Sequence, residues 1–349
     1  MPEIIDKGDA KKLIERLNRF EEIKPILTGP IGKISAIDND ITDLVDFVNL
    51  RWSKWLSKNS GKYDLIINAG HFNSVKKFKA DCRYLLTEVN DCNAIGIDPG
   101  RKIILKPHNK TFEKIINEFK SDEYRIVDIS RFQGKTWKKR NITYRRIAAA
   151  QKGEYLLLNG NIIGKVTSED VILKERDGRL IEADGVKLRE KDLQKIDEIN
   201  LKKSKIVTKR EINRKDFKAN KLDISQDKGV LFVEHNAIKT FEVLEDYDSI
   251  SGAVLVGDDT TILGGTIFSR LSIPIIGIRD NDPDNFFKNE SYHNGSTILF
   301  TREDDEFGKH IFKKIFEGKK YIKRNFYEVK RDIIATSRKK ENFKKLKIF

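Results

Sequence analysis

Short apolar runs alternate with helical patterns in the last third of the chain, and this alternation constrains the fold more than any other feature. The four runs are Gly229–Glu234, Ala253–Gly257, Ile273–Ile278 and Ser296–Phe300. Strands that alternate with helices are typical of an open, largely parallel sheet. Residues 224–318 are therefore predicted to form a C-terminal α/β domain.

The N-terminal segment, residues 1–128, shows the same alternation. Asp64–Gly70 and Asn93–Asp98 are short apolar runs that end in turn residues, and Asp9–Phe20 and Thr111–Lys120 have the period of a helix. The segment predicts a second α/β domain. The predicted fold class is thus α/β, with two Rossmann-like domains.

The middle segment, residues 140–198, carries hairpin signals in place of helical ones. Asn159-Gly160, Asp177-Gly178 and Asp184-Gly185 each separate runs of strand-forming residues. Asn-Gly and Asp-Gly favour the tight turns of β-hairpins. A small antiparallel β-meander, shaped as a barrel-like insert, is expected between the two α/β domains.

The positive charge is concentrated in two segments. The formal net charge is +14, and fifteen Lys and Arg face four acids between Lys309 and Phe349. The predicted basic linker, residues 199–223, holds a second excess, and the basic tail, residues 319–349, is expected to be helical. Such segments suit a phosphate-containing small molecule or a nucleic acid. The alternative, solvated surface charge in a lysine-rich protein, is the more common explanation of such segments.

Several classes of protein are excluded on composition. No apolar run reaches the roughly 18–20 residues of a membrane span, and the N-terminus lacks a signal pattern. Two cysteines, Cys82 and Cys92, are too few for a disulfide framework or a four-cysteine zinc site. A cytoplasmic protein without a membrane partner is expected.

Acidic residues follow three consecutive strands of the C-terminal domain. They are Glu234 after the first strand, Asp258 and Asp259 after the second, and Asp280, Asp282 and Asp284 after the third. Carboxyl ends of parallel neighbouring strands meet at one edge of a sheet, where such sheets bind ligands. Converging carboxylates repel one another, and Mg²⁺ would relieve that repulsion. The sequence therefore predicts a magnesium site suited to phosphoryl transfer or hydrolysis.

We assign roles to these residues by position. The metal ligands are Asp280, Asp282 and Asp284, and the catalytic acids are Asp258, Asp259 and Glu234. Thr260 and Thr261 open the next helix, where their hydroxyls and the helix amides can hold a phosphate. The alternative is structural: the same acids cap a helix or form a polar turn.

Three residues of the N-terminal domain are further substrate-binding candidates. Gly29 and Gly32 lie in a glycine-containing turn after an apolar run, and His71 follows the run that ends at Gly70. The turn has part of a phosphate-loop pattern but lacks the full motif. His71 could be a general base or ligand, although a loop histidine without an identified partner is more often neither.

Glu234 and the pair Asp280/Asp282 resemble the Toprim pattern of a glutamate followed by an Asp-x-Asp. The resemblance implies Mg²⁺-dependent phosphodiester chemistry on a compact α/β fold. The sequence departs from the pattern because His235 stands where glycine usually follows the glutamate. The usual glycine after the aspartates is also missing.

Longer stretches resemble a family of uncharacterised conserved proteins from methanogenic archaea. They are Pro2–Gly8, Val256–Thr261 and Ile273–Ile278 ahead of the Asp-x-Asp. This resemblance implies an apolar strand and a glycine ahead of Met1, so a shortened start is expected. It implies no activity, and two functions stay open. One is a Mg²⁺-dependent enzyme acting on a nucleotide or nucleic acid, and the other is a non-catalytic ligand-binding or regulatory protein of methanogens.

Overall fold

A computed structural model defines the fold of most of the chain. It describes residues 2–19, 21–50, 52–88, 93–107, 113–129, 136–147, 149–159, 161–189, 193, 198–209, 228–234, 240–245, 249–280, 290–339 and 343–349. Asp282, Asp284 and most of the predicted basic linker lie outside these residues.

Helices and strands alternate along much of the described chain. The helices are α1 (Glu3–Asp6), α2 (Asp9–Leu17), α3 (Pro30–Asp38), α4 (Trp52–Asn59), α5 (Val75–Glu88), α6 (Glu113–Lys120), α7 (Thr240–Glu245), α8 (Asp258–Arg270), α9 (Asp304–Lys314) and α10 (Phe326–Lys339). The first strands are β1 (Ile26–Thr28), β2 (Asp46–Val48), β3 (Ile66–Ala69), β4 (Ala94–Asp98), β5 (Ile103–Pro107), β6 (Arg125–Ile129), β7 (Thr136–Lys139), β8 (Ile142–Ile147), β9 (Tyr155–Leu158) and β10 (Asn161–Val166). The remaining strands are β11 (Val171–Arg176), β12 (Arg179–Asp184), β13 (Val186–Leu188), β14 (Ile206–Lys209), β15 (Gly229–Glu234), β16 (Ile250–Val256), β17 (Ile275–Arg279), β18 (Thr297–Thr301), β19 (Tyr321–Ile322) and β20 (Phe343–Ile348).

The chain divides into two compact units, and the predicted α/β class is confirmed. Unit 1 comprises residues 1–25 and 50–211, and unit 2 comprises residues 26–49 and 212–349. The sequence assigns residues 26–49 to the N-terminal domain, whereas the structure groups them with the C-terminal segment.

Unit 1 contains one mixed sheet and two antiparallel sheets. The mixed sheet has the order β3-β4-β5-β6, in which only β4 and β5 run antiparallel. Phe78 and Cys82 of α5 pack in a core with Ile103 and Leu105 of β5. Gly96 of β4 lies under this helix, where a Cβ atom would come within 2.5 Å of the Cys82 sulfur.

Two antiparallel sheets lie mainly in the segment for which the sequence predicts a meander. Their orders are β13-β10-β9-β14 and β12-β11-β8-β7, and their facing side chains, including Leu156, Ile163 and Leu173, share one core. The predicted hairpin at Asp184-Gly185 is wrong, because the strands that it joins, β12 and β13, belong to different sheets. Asp177 and Gly178 both have positive φ in the hairpin between β11 and β12, as an Asp-Gly turn requires. Strand β14 pairs with β9, so the start of the predicted linker belongs to this core.

Unit 2 is built on a six-stranded sheet of order β19-β15-β16-β17-β18-β20. Strands β15 to β18 run parallel to their neighbours. Helix α8 covers one face, where Phe268 packs on Leu255 and Ile275. Helices α9 and α10 supply Phe307 and Phe326 to the core on the other face. Burial of both faces explains why these strands are continuous apolar runs.

The basic tail is helical in part, but it is also an integral part of the sheet. Phe326, Val329 and Ile333 of α10 are fully buried. The tail also contributes β19, which pairs with β15, and β20, which pairs with β18. Both edges of the parallel sheet are therefore covered by strands from the tail.

Residues 26–49 add a small parallel pair of strands and a helix to unit 2. Strand β1 pairs with β2, and Ile34 of α3 packs with Ile267 of α8 and Phe241 of α7. The Arg270 guanidinium holds the Asp38 carboxylate, with Nε 2.5 Å from Oδ1. These contacts explain why the segment belongs to this unit.

Candidate metal centre

Three carboxylates meet where neighbouring parallel strands of unit 2 end. Strand β16 runs through Gly257 into Asp258, the first residue of α8. Asp280 follows β17 directly. Asp304, the first residue of α9, comes shortly after β18. Successive strands of the sheet thus each contribute one carboxylate to the same edge.

The geometry of these three side chains suits one cation. One oxygen from each of Asp258, Asp280 and Asp304 lies within 4.8 Å of the others. Ligands of Mg²⁺ are about 2.9 Å apart when they are neighbours and about 4.1 Å apart when they are on opposite sides of the ion, and the distances are longer for Ca²⁺. Small side-chain movements would bring the three oxygens onto one ion.

The backbone at Gly257 makes the first of these placements possible. Gly257 has φ +101°, a value that side-chain-bearing residues rarely adopt. Its N–H donates to the carbonyl of Ile278, 3.0 Å away. The chain therefore turns sharply from β16 into α8 and sets Asp258 beside the end of β17.

A buried arginine joins the acids. Arg279, the last residue of β17, is 3% exposed. Its Nε lies 2.5 Å from Asp258 Oδ1 and its Nη1 lies 2.7 Å from Glu290 Oε2. The Tyr292 hydroxyl donates to the same Glu290 oxygen over 3.2 Å. This network fixes one side of the Asp258 carboxylate.

The acids of this network raise the pKa of the arginine that they surround. Burial acts to lower the pKa of Arg279, but the hydrogen bonds and charges of Glu290 and Asp258 outweigh it and raise that pKa. Burial also raises the pKa of Tyr292 above its ordinary value. Both groups therefore stay protonated at neutral pH and keep their donor roles.

Asp304 is the member of the cluster on which crowding has its clearest effect. It is 9% exposed, and burial, followed by the carboxylates of Asp280, Asp305 and Asp258, raises its pKa to about 6. Burial and the neighbouring acids together disfavour the charged form of Asp304. A divalent cation would offset them.

The other acids predicted for this site are placed differently. Asp259 is exposed on the first turn of α8. Glu234 ends β15 and is partly exposed. Neither belongs to the group of three whose oxygens lie within 4.8 Å. Asp282 and Asp284 stay predictions, since they lie outside the described residues.

The two threonines lie on the first turn of α8, but they are buried. The Thr261 side chain is fully buried, and its hydroxyl donates to the Leu255 carbonyl over 3.4 Å. A Cβ atom on Gly277 of β17 would come within 2.4 Å of the Thr261 methyl group, so this methyl group packs closely against the strand. Thr261 therefore packs α8 on the sheet, and Thr260 is 6% exposed. Of the two, only Thr260 keeps any exposed surface.

The candidates from the N-terminal segment fall in different units. Gly29 precedes α3 in unit 2 with φ +86°, and Gly32 lies in the first turn of that helix. His71 belongs to unit 1. Its Nε2 lies 2.9 Å from Asp9 Oδ2. Its ring packs so closely on Gly100 that a Cβ atom there would come within 2.8 Å of the ring.

Sequence reasoning missed Asp304, Arg279 and Glu290. Asp304 lies in the run Glu303–Glu306, which is typical of an acidic helix start. The signal that could have identified it is its position after the fourth strand, equivalent to Asp258 after the second. Glu290 follows a stretch outside the described residues, and nothing local points to it.

Comparison with known proteins gives the family. A family described as an uncharacterized protein conserved in archaea (DUF2117) matches residues 1–319. The chain belongs to this family. A relative, the uncharacterized protein MJ0065 of Methanocaldococcus jannaschii, is 29% identical over 332 residues, which cover 92% of this chain and 91% of the relative. No solved structure matches the chain.

These comparisons bear on both resemblances. The resemblance to an uncharacterised archaeal family is confirmed, and MJ0065 comes from a methanogen, as expected. The Toprim resemblance is not confirmed. As for membranes, none of the helices in the described ranges is both long and apolar enough to cross a bilayer.

Proposed function

We propose that Asp258, Asp280 and Asp304 bind a divalent cation, Mg²⁺, and that this site acts on a phosphate-containing substrate. The observation that carries the proposal is the meeting of three carboxylate oxygens within 4.8 Å at the ends of adjacent parallel strands. Carboxylate oxygens are the ligands that Mg²⁺ prefers, and it usually keeps open positions for water and phosphate.

The surroundings support phosphate as the substrate group. The N-terminus of α8, a helix of thirteen residues, begins at Asp258, and peptide N–H groups at a helix N-terminus favour phosphate. In hydrolysis, water would add to phosphorus while the bond to the leaving oxygen breaks. A cation held by the three aspartates would offset the charge that develops there.

Metal binding is the first test of the proposal. Isothermal titration calorimetry with Mg²⁺ and Mn²⁺ should give heat for the wild type and at least tenfold weaker binding for Asp280→Asn. Asp280 is suitable because it is only partly buried. Glu306→Gln removes an exposed carboxylate from the first turn of α9 and should bind like the wild type. Absent heat, or equal affinities for all three proteins, would reject the site.

The non-catalytic alternative has one observation in its favour. Asp258 is already engaged by Arg279, as in a site that binds an ion or ligand without turning over a substrate. Hydrolysis of bis(p-nitrophenyl) phosphate with added Mg²⁺ or Mn²⁺ separates the two roles. Metal-dependent turnover that Asp280→Asn loses supports an enzyme. Metal binding without turnover of this or a monoester substrate supports a regulatory protein.

The basic tail supplies cations for a larger phosphate-containing substrate, a nucleotide or nucleic acid. Lys323, Arg331 and Arg338 are exposed, and Tyr327 on the same helix as the arginines is 50% exposed. Deleting the tail would remove β19, α10 and β20 from the sheet, so charge substitutions are the better test. Replacing the three cations by Gln should weaken oligonucleotide binding and flatten its salt dependence. Unchanged affinity would dismiss the tail as a contact surface.

A further inference from the structure

A separate surface of unit 1 combines stacked aromatic rings with cations. We name it the hairpin face and define it as Trp137, Lys139, Ile142, Tyr144 and Arg146, on β7 and β8. Trp137 pairs with Tyr144, and Lys139 pairs with Ile142. Directly paired residues of antiparallel strands lie on the same side of the sheet, so these side chains share one side.

This side of the sheet faces away from the core. Ile147, which alternates with Arg146, is buried in the core. Arg145 also lies on the core side, where its Nη1 donates to the carbonyls of Leu201 and Ser204. Burial lowers the pKa of Arg145. The hairpin face is therefore the outer surface of this sheet.

The aromatic pair on this face forms a platform. The rings of Trp137 and Tyr144 are nearly parallel, with an interplanar angle of 8° and centroids 5.2 Å apart. Both side chains are partly exposed. Strand β7 is the last strand in its sheet among the described residues. A planar base could continue the stack on the outer side of Trp137.

Cations surround the platform. Residues 136–147 contain five Lys and Arg and no Asp or Glu. Arg140 stands at the two-residue hairpin turn with φ +54°, and Lys139 and Arg140 are exposed. Lys138 pairs with Thr143 and lies on the other side of the sheet. Within the described part of the chain, no carboxylate lies within salt-bridge distance of Lys139 or Arg140.

The remaining charges on this side of the sheet define the extent of the positive patch. Lys174 neighbours Tyr144 across the β8–β11 pair, and its Nζ lies 2.8 Å from Glu182 and 3.1 Å from Asp184. Arg146 Nε lies 3.1 Å from Asp170. Among the described residues, the acids on this side of the sheet therefore lie toward β12, and Lys139 and Arg140 lie at the β7–β8 end.

We infer that the hairpin face binds single-stranded nucleic acid. Stacking rings beside unpaired cations are what a single strand requires, since bases stack on aromatic faces and the backbone carries one charge per nucleotide. A folded acidic protein could form ion pairs with the cations, but it would have no bases to stack on the aromatic platform. The inference is independent of the proposed metal centre, which lies in unit 2.

Fluorescence anisotropy with labelled oligo(U) and oligo(dT), each about 15 nucleotides long, tests it. Trp137→Ala should weaken binding about tenfold, while Trp137→Phe, which keeps a ring, should stay within about threefold of the wild type. Replacing Lys139 and Arg140 by Gln should lower the slope of log affinity against log salt by about 1.4. Circular dichroism melts confirm that each variant is folded.

The control is a triple replacement of Lys7, Lys11 and Lys12 by Gln. These exposed lysines belong to the same unit, and the variant should keep wild-type affinity. Stronger binding of one oligonucleotide identifies RNA or DNA as the partner. Wild-type binding by Trp137→Ala, an equal loss in the control, or equally tight binding of a polyglutamate peptide would overturn the inference.

Discussion

Asp304→Asn should make the metal-free protein more stable at neutral pH. Its carboxylate is buried beside Asp280 and Asp258, and its pKa rises from 3.8 to about 6. The folded state therefore binds this proton more tightly than the unfolded chain. The stabilisation that the proton gives is complete below pH 3.8 and is lost as the pH rises through about 6.

The size of the effect follows from the pKa difference. A rise in this pKa from 3.8 to about 6 corresponds to about 3 kcal/mol of lost stability at pH 7. Since Asp280 is partly exposed to solvent, screening reduces this cost, and we expect the substitution to recover about 1–2 kcal/mol of it. The Asp305 N–H donates a hydrogen bond to the Asp304 carboxylate. The side-chain oxygen of asparagine at this position can still accept that hydrogen bond.

Urea unfolding in EDTA at pH 7 and pH 4 measures this. Asp304→Asn should exceed the wild type in free energy of unfolding at pH 7, and the difference should largely vanish at pH 4. Glu306→Gln, which removes an exposed acid from the same turn, should change stability by at most a few tenths of a kcal/mol. A destabilised Asp304→Asn at pH 7 would refute the reasoning.

Added Mg²⁺ should reverse the order of the two proteins. At about a hundred times the dissociation constant, a cation that binds only the folded wild type adds about 2.7 kcal/mol. The variant has one ligand fewer and should gain much less. Equal Mg²⁺-induced stabilisation of both proteins would show that Asp304 is not a ligand.

Three further predictions concern other positions. Arg279→Gln leaves the carboxylates of Asp258 and Glu290 without their guanidinium and should cost about 3–5 kcal/mol of unfolding free energy; a change under about 1 kcal/mol would contradict the network. Phe326→Ala should cost about 3–5 kcal/mol, because the fully buried ring packs on Gly252; a urea midpoint like that of the wild type would disprove this. Burial raises the pKa of the Cys82 thiol to about 12, so Cys82 should react with a thiol reagent only at the rate of unfolding, as mass spectrometry of a native-state time course can show.

Local patterns in the sequence predicted much of unit 2. The apolar runs became β15 to β18, and the acids after the second and third runs, Asp258 and Asp280, are brought together. This worked because a strand end and the residue after it are adjacent in sequence. Once parallel pairing is assumed, convergence at one edge follows.

The contribution of Asp304 could not be separated from a common local pattern. Acids at the start of a helix are favourable in any protein because of the helix dipole, so the run Glu303–Glu306 is explained without a site. Likewise, Thr260 and Thr261 suit a phosphate site by type. Only the packing of α8 shows that the Thr261 hydroxyl is turned into the sheet.

The sequence alone determined the α/β class, the Asp177-Gly178 hairpin turn and the archaeal family. Tertiary structure decided that residues 26–49 join unit 2, that the basic tail supplies both edge strands, and that Arg279 holds Asp258. Apolar periodicity records which side of an element is buried, because burial acts on each side chain separately. It does not record which distant element covers that side, because many partners would bury the same apolar surface.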